Sequence, residues 1–172
     1  NEEELCNIAS EYHGIVVRSA TTISQKVIAA GKNLKVLGRA GIGVDNIDIS
    51  AATDKGIVVM NTPFGNSITT AEHTISLMMS LARNIPQANQ SIKLGKWEKS
   101  KFMGTELFGK SLGMIGCGNI GSLVAERSMG LKMKVMVYDP FLSEEQTNKL
   151  GAKKVELEEL LSQADFITLH TP

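Results

Sequence analysis

The sequence predicts an α/β protein built on parallel sheets. Short apolar runs alternate with helix-like segments along nearly the whole chain, which is the pattern of strands connected by crossover helices. Glycines such as Gly31 and Gly56 follow the helix-like segments, where helix-terminating residues are expected. The chain has 172 residues, of which 42% are hydrophobic and 21% charged. This length and composition suffice for a buried core.

The first part of the chain has the apolar runs of a small parallel sheet. Three runs are predicted as buried strands because they are continuously apolar, and the segments between them are predicted as helices. The predicted strands are Gly14–Arg18, Val36–Leu37 and Ile57–Met60, and the predicted helices are Ser24–Ala30 and Ile49–Lys55. Leu5 and Ile8 indicate one face of a further helix at the start.

A turn-rich stretch and a long helix are predicted to separate two domains. The turn residues 63–67 favour a crossing point, so the expected domains are 1–65 and 66–172. An apolar stripe predicts a helix over about 70–94, with Thr69 and Glu72 as a capping box. Pro86 lies inside this stripe and is expected to kink the helix near Ala82, because proline removes a backbone hydrogen bond.

The second half reads as strand, glycine-rich turn, helix and strand. Ser143 and Gln146 form a predicted capping box, and Gly151 a helix stop. The predicted strands are Ser111–Ile115, Lys134–Tyr138 and Asp165–His170, and the predicted helices are Asn119–Met129, a short one after Ser143, and Leu157–Gln163.

The glycine-rich turn has the G-x-G-x-x-G spacing of a dinucleotide-binding loop. Gly116, Gly118 and Gly121 lie between a predicted strand and helix, and Asp139 ends the next strand. The acid is close to the ~20 residues downstream that this fold requires. We interpret Gly116 as permitting the tight turn, Gly118 as admitting a pyrophosphate, and Gly121 as allowing close helix packing.

Asp139 is predicted to select NAD over NADP. Its carboxylate would accept hydrogen bonds from the adenosine ribose, whereas a 2′-phosphate would meet a like charge. A structural glycine turn beside a surface Asp is the alternative interpretation. Cys117 is either a small filler or a thiolate favoured by the helix N-terminus.

A second glycine-rich turn runs from Arg39 to Asp48 and differs from the first. Asn46 stands where a third glycine would be needed, and no acid ends the following strand at the required distance. The turn suits a carboxylate or carboxamide held by backbone N–H groups, or is purely structural. Arg18 ends a predicted strand and either binds an anionic substrate or is an ordinary surface residue.

Charge and composition disfavour several classes of function. Eighteen basic and eighteen acidic residues cancel, so nucleic acid and anionic membranes are not expected partners. Two cysteines indicate a reducing compartment rather than a disulfide scaffold. No signal peptide and no apolar run of ~20 residues are found, so a cytoplasmic location is expected. No metal site is expected.

The motifs of the chain resemble those of the D-isomer-specific 2-hydroxyacid dehydrogenases. The resemblance covers essentially the whole chain, and the segment 101–104 resembles the branch that acts on 3-phosphoglycerate. It rests on the segments Val17–Ala20, Gly38–Asp48, Asn61–Pro63, Ala71–Thr74, Leu81–Pro86, Gly95–Trp97, Lys101–Gly104, Glu106–Leu107, Gly109–Lys110, the Gly116–Gly121 loop and His170–Pro172.

This resemblance implies a flavodoxin-like partial substrate domain followed by a partial Rossmann domain with a doubly wound parallel sheet. It implies NAD as cofactor, a small-molecule substrate and a homo-oligomer. The implied substrate-binding residues are Arg18, Ser19, Gly43 and Val44. The implied cofactor-binding residues are Ile42, Asn119, Ile120, Asp139, Thr171 and Pro172, in addition to the three glycines of the loop.

The catalytic residues of the family are not found in this chain. The family uses an Arg, a Glu and a His that follow the equivalent of Pro172, so we expect a fragment that is inactive by itself. His13, His73 and His170 do not fit the acid–base role. The implied reaction oxidises D-3-phosphoglycerate to 3-phosphohydroxypyruvate in serine biosynthesis, with Arg18, Arg39 and Lys101 as candidate cations for the phosphate. The alternatives are a glyoxylate/hydroxypyruvate reductase and an NAD-sensing corepressor-like protein.

Overall fold

The protein is described here by a computed structural model that covers residues 1–171. The chain divides into two compact units, the first Asn1–Asn66 and the second beginning at Ser67. Each unit contains one parallel sheet with helices packed against it. The predicted α/β class with parallel sheets is therefore confirmed.

The first unit contains a three-stranded sheet in the order β1-β2-β3. Its core is formed by apolar side chains of the strands, of the surrounding helices and of the connecting segments, with Leu37 and Ile23 fully buried. The strands are β1 (Gly14–Val17), β2 (Val36–Arg39) and β3 (Val58–Asn61), and the helices are α1 (Glu2–Ile8), α2 (Gln25–Ala30) and α3 (Ile49–Asp54).

The middle strand of this sheet is longer than predicted. The apolar run ends at Leu37, but β2 continues to Arg39 because Gly38 and Arg39 pair with both neighbouring strands. The ladder thus places Arg39 level with Val17 and Asn61 at the carboxyl edge of the sheet. The loops that follow these strands lie at that edge.

The second unit contains a four-stranded sheet in the order β6-β5-β4-β7. The three middle residues of the central strands β4 and β5 are buried in each case, as expected for strands covered on both faces. The strands are β4 (Ser111–Ile115), β5 (Lys134–Tyr138), β6 (Lys153–Lys154) and β7 (Phe166–Leu169). The helices are α4 (Ser67–Ala82), α5 (Ile85–Lys93), α6 (Asn119–Gly130), α7 (Glu144–Lys149) and α8 (Leu157–Gln163).

The single long helix predicted over about 70–94 is wrong, because the chain forms two helices there. α4 begins at Ser67, so Thr69 and Glu72 lie inside it rather than at its cap. The break follows Ala82, where Asn84 adopts a left-handed conformation with φ of 53°. Pro86 stands in the first turn of α5 and cannot donate a backbone hydrogen bond, and the Ala82 carbonyl accepts from Thr105 N at 2.8 Å instead. Proline therefore starts a new helix rather than kinking an existing one.

One strand of the second sheet was not predicted. β6 has two lysines and pairs with Met136 and Val137 at the sheet edge. It carries no apolar signal and is too short for a periodic pattern. The predicted capping box of Ser143 and Gln146 is confirmed, and Gly151 follows α7 in a left-handed conformation.

Among the described residues, no helix is long and apolar enough to cross a bilayer.

Candidate functional site

The loop between β4 and α6 requires glycine at two positions. Gly116 has a φ of +82°, and a Cβ added there would lie 2.6 Å from the His170 carbonyl oxygen. A Cβ added at Gly121 would lie 2.8 Å from the Gly116 carbonyl oxygen and 3.2 Å from the Met114 sulfur. The two contacts with carbonyl oxygens are closer than packed atoms allow. The glycines thus let the loop turn tightly and let α6 pack against it.

Gly118 differs from the other two glycines of the loop because a side chain there would have open space. No atom lies within 4 Å of a Cβ added at this position. It is the N-cap residue of α6 and provides no side-chain cap, so the N–H groups of the first turn, which includes Asn119 and Ile120, remain for other acceptors. An anion can approach such a helix start closely and accept these hydrogen bonds.

Asp139 follows β5 and connects two turns through its carboxylate. Its Oδ2 accepts from Cys117 N at 2.8 Å and its Oδ1 from Phe141 N at 2.8 Å. Burial raises the pKa of Asp139, but backbone N–H groups of Cys117, Phe141 and Leu142, with the charge of Lys154, outweigh it and hold this pKa below its ordinary value. The carboxylate is therefore ionised at neutral pH, and its remaining lone pairs can accept from a ligand hydroxyl.

An open cleft of about 540 Å³ connects the loop with Asp139. The structure thus brings together Gly118, Asn119 and Asp139 along one surface. Residues of the turn after β5 and of α7 complete the lining, and the sequence did not indicate them. The cleft is lined by Cys117, Gly118, Asn119, Ser122, Asp139, Phe141, Leu142, Gln146, Lys149 and Leu150. Of these, Phe141 and Leu142 lie within three residues of Asp139 in the sequence, whereas the α7 residues are brought to the cleft only by the fold.

The first glycine of the loop lies beside Thr171. The Thr171 Cγ2 lies 3.0 Å from the position of a Gly116 Cβ, so this residue adjoins the turn. Pro172, predicted to line the cofactor, lies outside the described residues. His170 precedes Thr171, and its backbone N donates to the Ile115 carbonyl at 2.8 Å.

Cys117 is not the thiolate that one interpretation of the sequence favoured. Its side chain is buried, and burial together with the neighbouring Asp139 charge raises the pKa of its thiol to about 11. The thiol is therefore protonated at neutral pH, despite its place before a helix. Cys117 acts as a small buried filler.

In the first unit, the predicted substrate-facing residues lie on two loops at the carboxyl edge of the sheet. Arg18 and Ser19 follow β1 and are exposed. Gly43 is exposed and Val44 and Ile42 are half-buried in the loop that follows β2. The Ile42 carbonyl is held by Asn61 Nδ2 at 2.6 Å.

Two of the three candidate phosphate-binding cations already have partners. Arg39 Nη1 donates to the Gly43 carbonyl and, at 3.0 Å, to Asp45 Oδ1, while its side chain is only 11% exposed. The structure thus assigns Arg39 to holding its own loop. Lys101 pairs with Glu98 at 3.4 Å but is exposed. Arg18 remains the exposed cation on a loop that also carries Ser19.

Two of the three histidines are exposed, and the third is half-buried. His13 and His73 are exposed. His170 is half-buried, which lowers the pKa of its ring, and Thr168 Oγ1 lies 3.0 Å from its Nε2. Within the described residues, no three His, Cys, Asp or Glu side chains form a group that could hold a metal ion.

Comparison with known proteins agrees with this geometry. Residues 75–172 match the family model of the D-isomer specific 2-hydroxyacid dehydrogenase, NAD binding domain. A D-3-phosphoglycerate dehydrogenase of Archaeoglobus fulgidus is 55% identical over 172 residues, which are 100% of this chain and 33% of that protein. The chain thus spans about a third of the length of the curated relatives it matches.

Solved structures share the fold over the whole chain. D-lactate dehydrogenase from Aquifex aeolicus, complexed with NAD and lactic acid, superposes with a TM-score of 0.88 at 30% identity, covering 100% of this chain and 50% of that chain. An acyclic imino acid reductase, Bsp5, in complex with NADPH and D-Arg, has a TM-score of 0.89 at 31% identity, covering 100% and 55%.

Proposed function

The chain belongs to the D-isomer specific 2-hydroxyacid dehydrogenase family, and we propose that it forms part of an NAD-dependent dehydrogenase acting on D-3-phosphoglycerate. The observation that carries the proposal is the cleft joining the glycine loop to the ionised Asp139. The names of relatives at 55% and 52% identity over the whole chain support the choice of substrate.

The second unit fits NAD through three features of its own residues. Gly118 leaves room at the start of α6, the first-turn N–H groups suit a diphosphate, and Asp139 suits the adenosine ribose. The negative charge of Asp139 also disfavours a 2′-phosphate, so NAD is preferred over NADP. We assign Gly116, Gly118, Asn119, Ile120, Gly121, Asp139, Thr171 and Pro172 to the cofactor in this proposal.

We assign residues 1–65 to a substrate domain and residues 66–172 to the cofactor domain. In the substrate domain, Arg18 and Ser19 face the substrate, and the N–H groups of Gly43 and Val44 bind its carboxylate. Ile42 contacts the nicotinamide end of the cofactor. The exposure of Arg18, Ser19 and Gly43 supports these roles.

The reaction in this proposal converts a 2-hydroxy acid to a 2-keto acid. The residues assigned above would hold NAD, which would supply the nicotinamide C4 as acceptor for the C2 hydrogen of the substrate, transferred as hydride. The hydroxyl proton passes to a general base, so loss of hydride and proton together leaves the keto acid. None of the three histidines of this chain is assigned this role, because two are exposed and the third is held next to Thr168.

The cofactor assignment is tested by replacing Asp139. Asp139→Ala removes the ribose acceptor and the anchor of two backbone N–H groups, so NADH binding should weaken by ~1.5–3 kcal/mol, as measured by calorimetry. Asp165→Ala is the matched control, because Asp165 also accepts a backbone N–H, from Ser111 at 2.8 Å, at the opposite end of β4. Equal affinities for the wild type and the Asp139 variant would refute the role.

The substrate assignment is tested by turnover in the full-length protein that carries this chain. We expect the rate with 3-phosphoglycerate to exceed the rates with D-lactate and D-glycerate, because the phosphate adds a charged contact. Higher kcat/KM for an unphosphorylated acid would contradict this substrate and leave the NAD assignment standing.

A further inference from the structure

The two predicted substrate-facing loops of the first unit are joined by one buried side chain, that of Asn46. This residue lies in the loop between β2 and α3 and is only 8% exposed. Its Nδ2 donates to the Arg18 carbonyl at 2.9 Å and to the Thr21 carbonyl at 2.6 Å. Its backbone carbonyl accepts from Ile23 N at 2.8 Å. Three hydrogen bonds therefore connect the loop after β2 to the loop after β1.

The chemistry of these contacts requires an amide. Both side-chain partners are carbonyl oxygens, so the side chain must offer two N–H donors from one nitrogen, as asparagine does. An Asp of the same shape would present an acceptor to each carbonyl. The Asn46 Oδ1 is buried without a partner, which is unfavourable for folding.

The loop that contains Asn46 is also held from its other side. Arg39 Nη1 donates to the Gly43 carbonyl and to Asp45, and Asn61 Nδ2 donates to the Ile42 carbonyl. These contacts fix the Ile42–Asp45 segment relative to β2 and β3. Asn46 fixes the same segment relative to Arg18. The carbonyl that it binds belongs to the residue whose side chain is proposed to bind the substrate.

We propose that Asn46 is a positioning residue that holds Arg18 at a set distance from the Gly43 and Val44 N–H groups, so that one anionic substrate can reach both. This inference rests on the proposed function, because it takes the substrate assignments of these residues as given. Asn46 touches no substrate in this proposal. It acts through the backbone carbonyls of Arg18 and Thr21. Because the two loops are already aligned, they lose less conformational freedom when the substrate binds.

The test is the Asn46→Ala variant of the full-length protein, assayed with 3-phosphoglycerate and NAD. We expect KM for 3-phosphoglycerate to rise about tenfold, with kcat changed less than about threefold, because two hydrogen bonds that prealign binding groups are lost. NADH dissociation, measured by fluorescence without substrate, should change much less than KM, because the assigned diphosphate and ribose contacts belong to the second unit. A purely structural role would change stability and leave KM unchanged.

Asn33→Ala is the matched control. Asn33 Nδ2 likewise donates to a distant carbonyl, that of Ser10, at 2.8 Å in the same unit, but it touches neither loop. Its KM should remain that of the wild type. An equal rise in KM for both variants would overturn the proposal.

The outcomes separate this inference from the proposed function. If the wild type neither binds NADH nor oxidises 3-phosphoglycerate, the proposed function fails. If the wild type is active and folded Asn46→Ala keeps the wild-type KM, only the positioning role fails. If Asn46→Ala loses cooperative unfolding, Asn46→Ser decides by the same criteria, since its hydroxyl can satisfy one of the two carbonyls. Loss of folding there too assigns Asn46 to stability and overturns the proposal.

Discussion

Asp139 anchors two turns in addition to its proposed role in binding the adenosine ribose. Its oxygens accept from Cys117 and Phe141 on opposite sides, so the glycine loop and the turn after β5 share one anchor. A carboxylate that accepts backbone N–H groups stays ionised more readily. The same bonds therefore set the charge of the residue and the form of the cleft.

Asp139 also affects its neighbour Cys117. Burial and the Asp139 charge together raise the pKa of this thiol to about 11. The helix N-terminus alone would lower the pKa of a thiol. Burial and a nearby carboxylate have the larger effect here.

We predict that Cys117 resists alkylation in the folded protein. At about pH 8, iodoacetamide should modify it on the order of a hundredfold more slowly than in urea, because little thiolate is present and the side chain is buried. Peptide mass spectrometry of native and unfolded samples measures both rates, and Cys6, which is half-buried, provides an internal comparison. Similar rates for Cys117 in the two samples would contradict the protonated, buried state.

At the scale of elements, the start of α6 is set by how closely this helix approaches the turn before it. Gly121 faces the Gly116 carbonyl and the Met114 sulfur, and any side chain at 121 would push the helix away. Gly130 ends the same helix, and nothing lies within 4 Å of a Cβ there. One helix thus contains a glycine that is sterically required and one that is not.

We predict opposite effects for alanine at these two positions. Gly121→Ala should destabilise the protein by ~1–3 kcal/mol through overpacking, and it should weaken NADH binding because the loop moves. Gly130→Ala should stabilise by about 0.4–1 kcal/mol, since the unfolded chain loses freedom. Urea unfolding and calorimetry measure both variants. A Gly121→Ala protein with wild-type stability and NADH affinity would show that α6 can shift freely.

At the scale of the whole molecule, the two units have separate hydrophobic cores. Leu37 is fully buried among side chains of the first unit, and Leu112 is 1% exposed in the core of the second. Leu112 lies on β4, the strand that leads into the glycine loop. A defect in either core should therefore have different consequences for cofactor binding.

We predict that equal truncations in the two cores separate stability from NADH affinity. Leu37→Ala and Leu112→Ala should each cost ~2–5 kcal/mol of folding free energy, because each leaves a cavity. Only Leu112→Ala should also weaken NADH binding, by calorimetry below the unfolding temperature. Hydrogen exchange should show lost protection in the first unit for Leu37→Ala, and loss of NADH affinity in that variant would contradict separate roles.

Local sequence patterns predicted most elements of both sheets. Strands β4 and β5 and helix α8 have the predicted bounds, because each is an apolar run or a periodic stripe ended by turn residues. The glycine loop was predicted because its residue types are sterically required at their positions. β6 was missed, since two lysines pair with β5 only after the sheet has formed.

The sequence by itself determined the fold class, the dinucleotide loop and the acid at the end of the next strand, because these follow from residue type and short spacing. Only the tertiary structure decided that α4 ends at Ala82, that Arg39 holds its own loop and that Cys117 is protonated. It also decided that Asn46 binds the carbonyls of Thr21 and Arg18, which lie 25 and 28 residues before it in the sequence. Such outcomes depend on burial and on contacts between distant segments, which no local pattern contains.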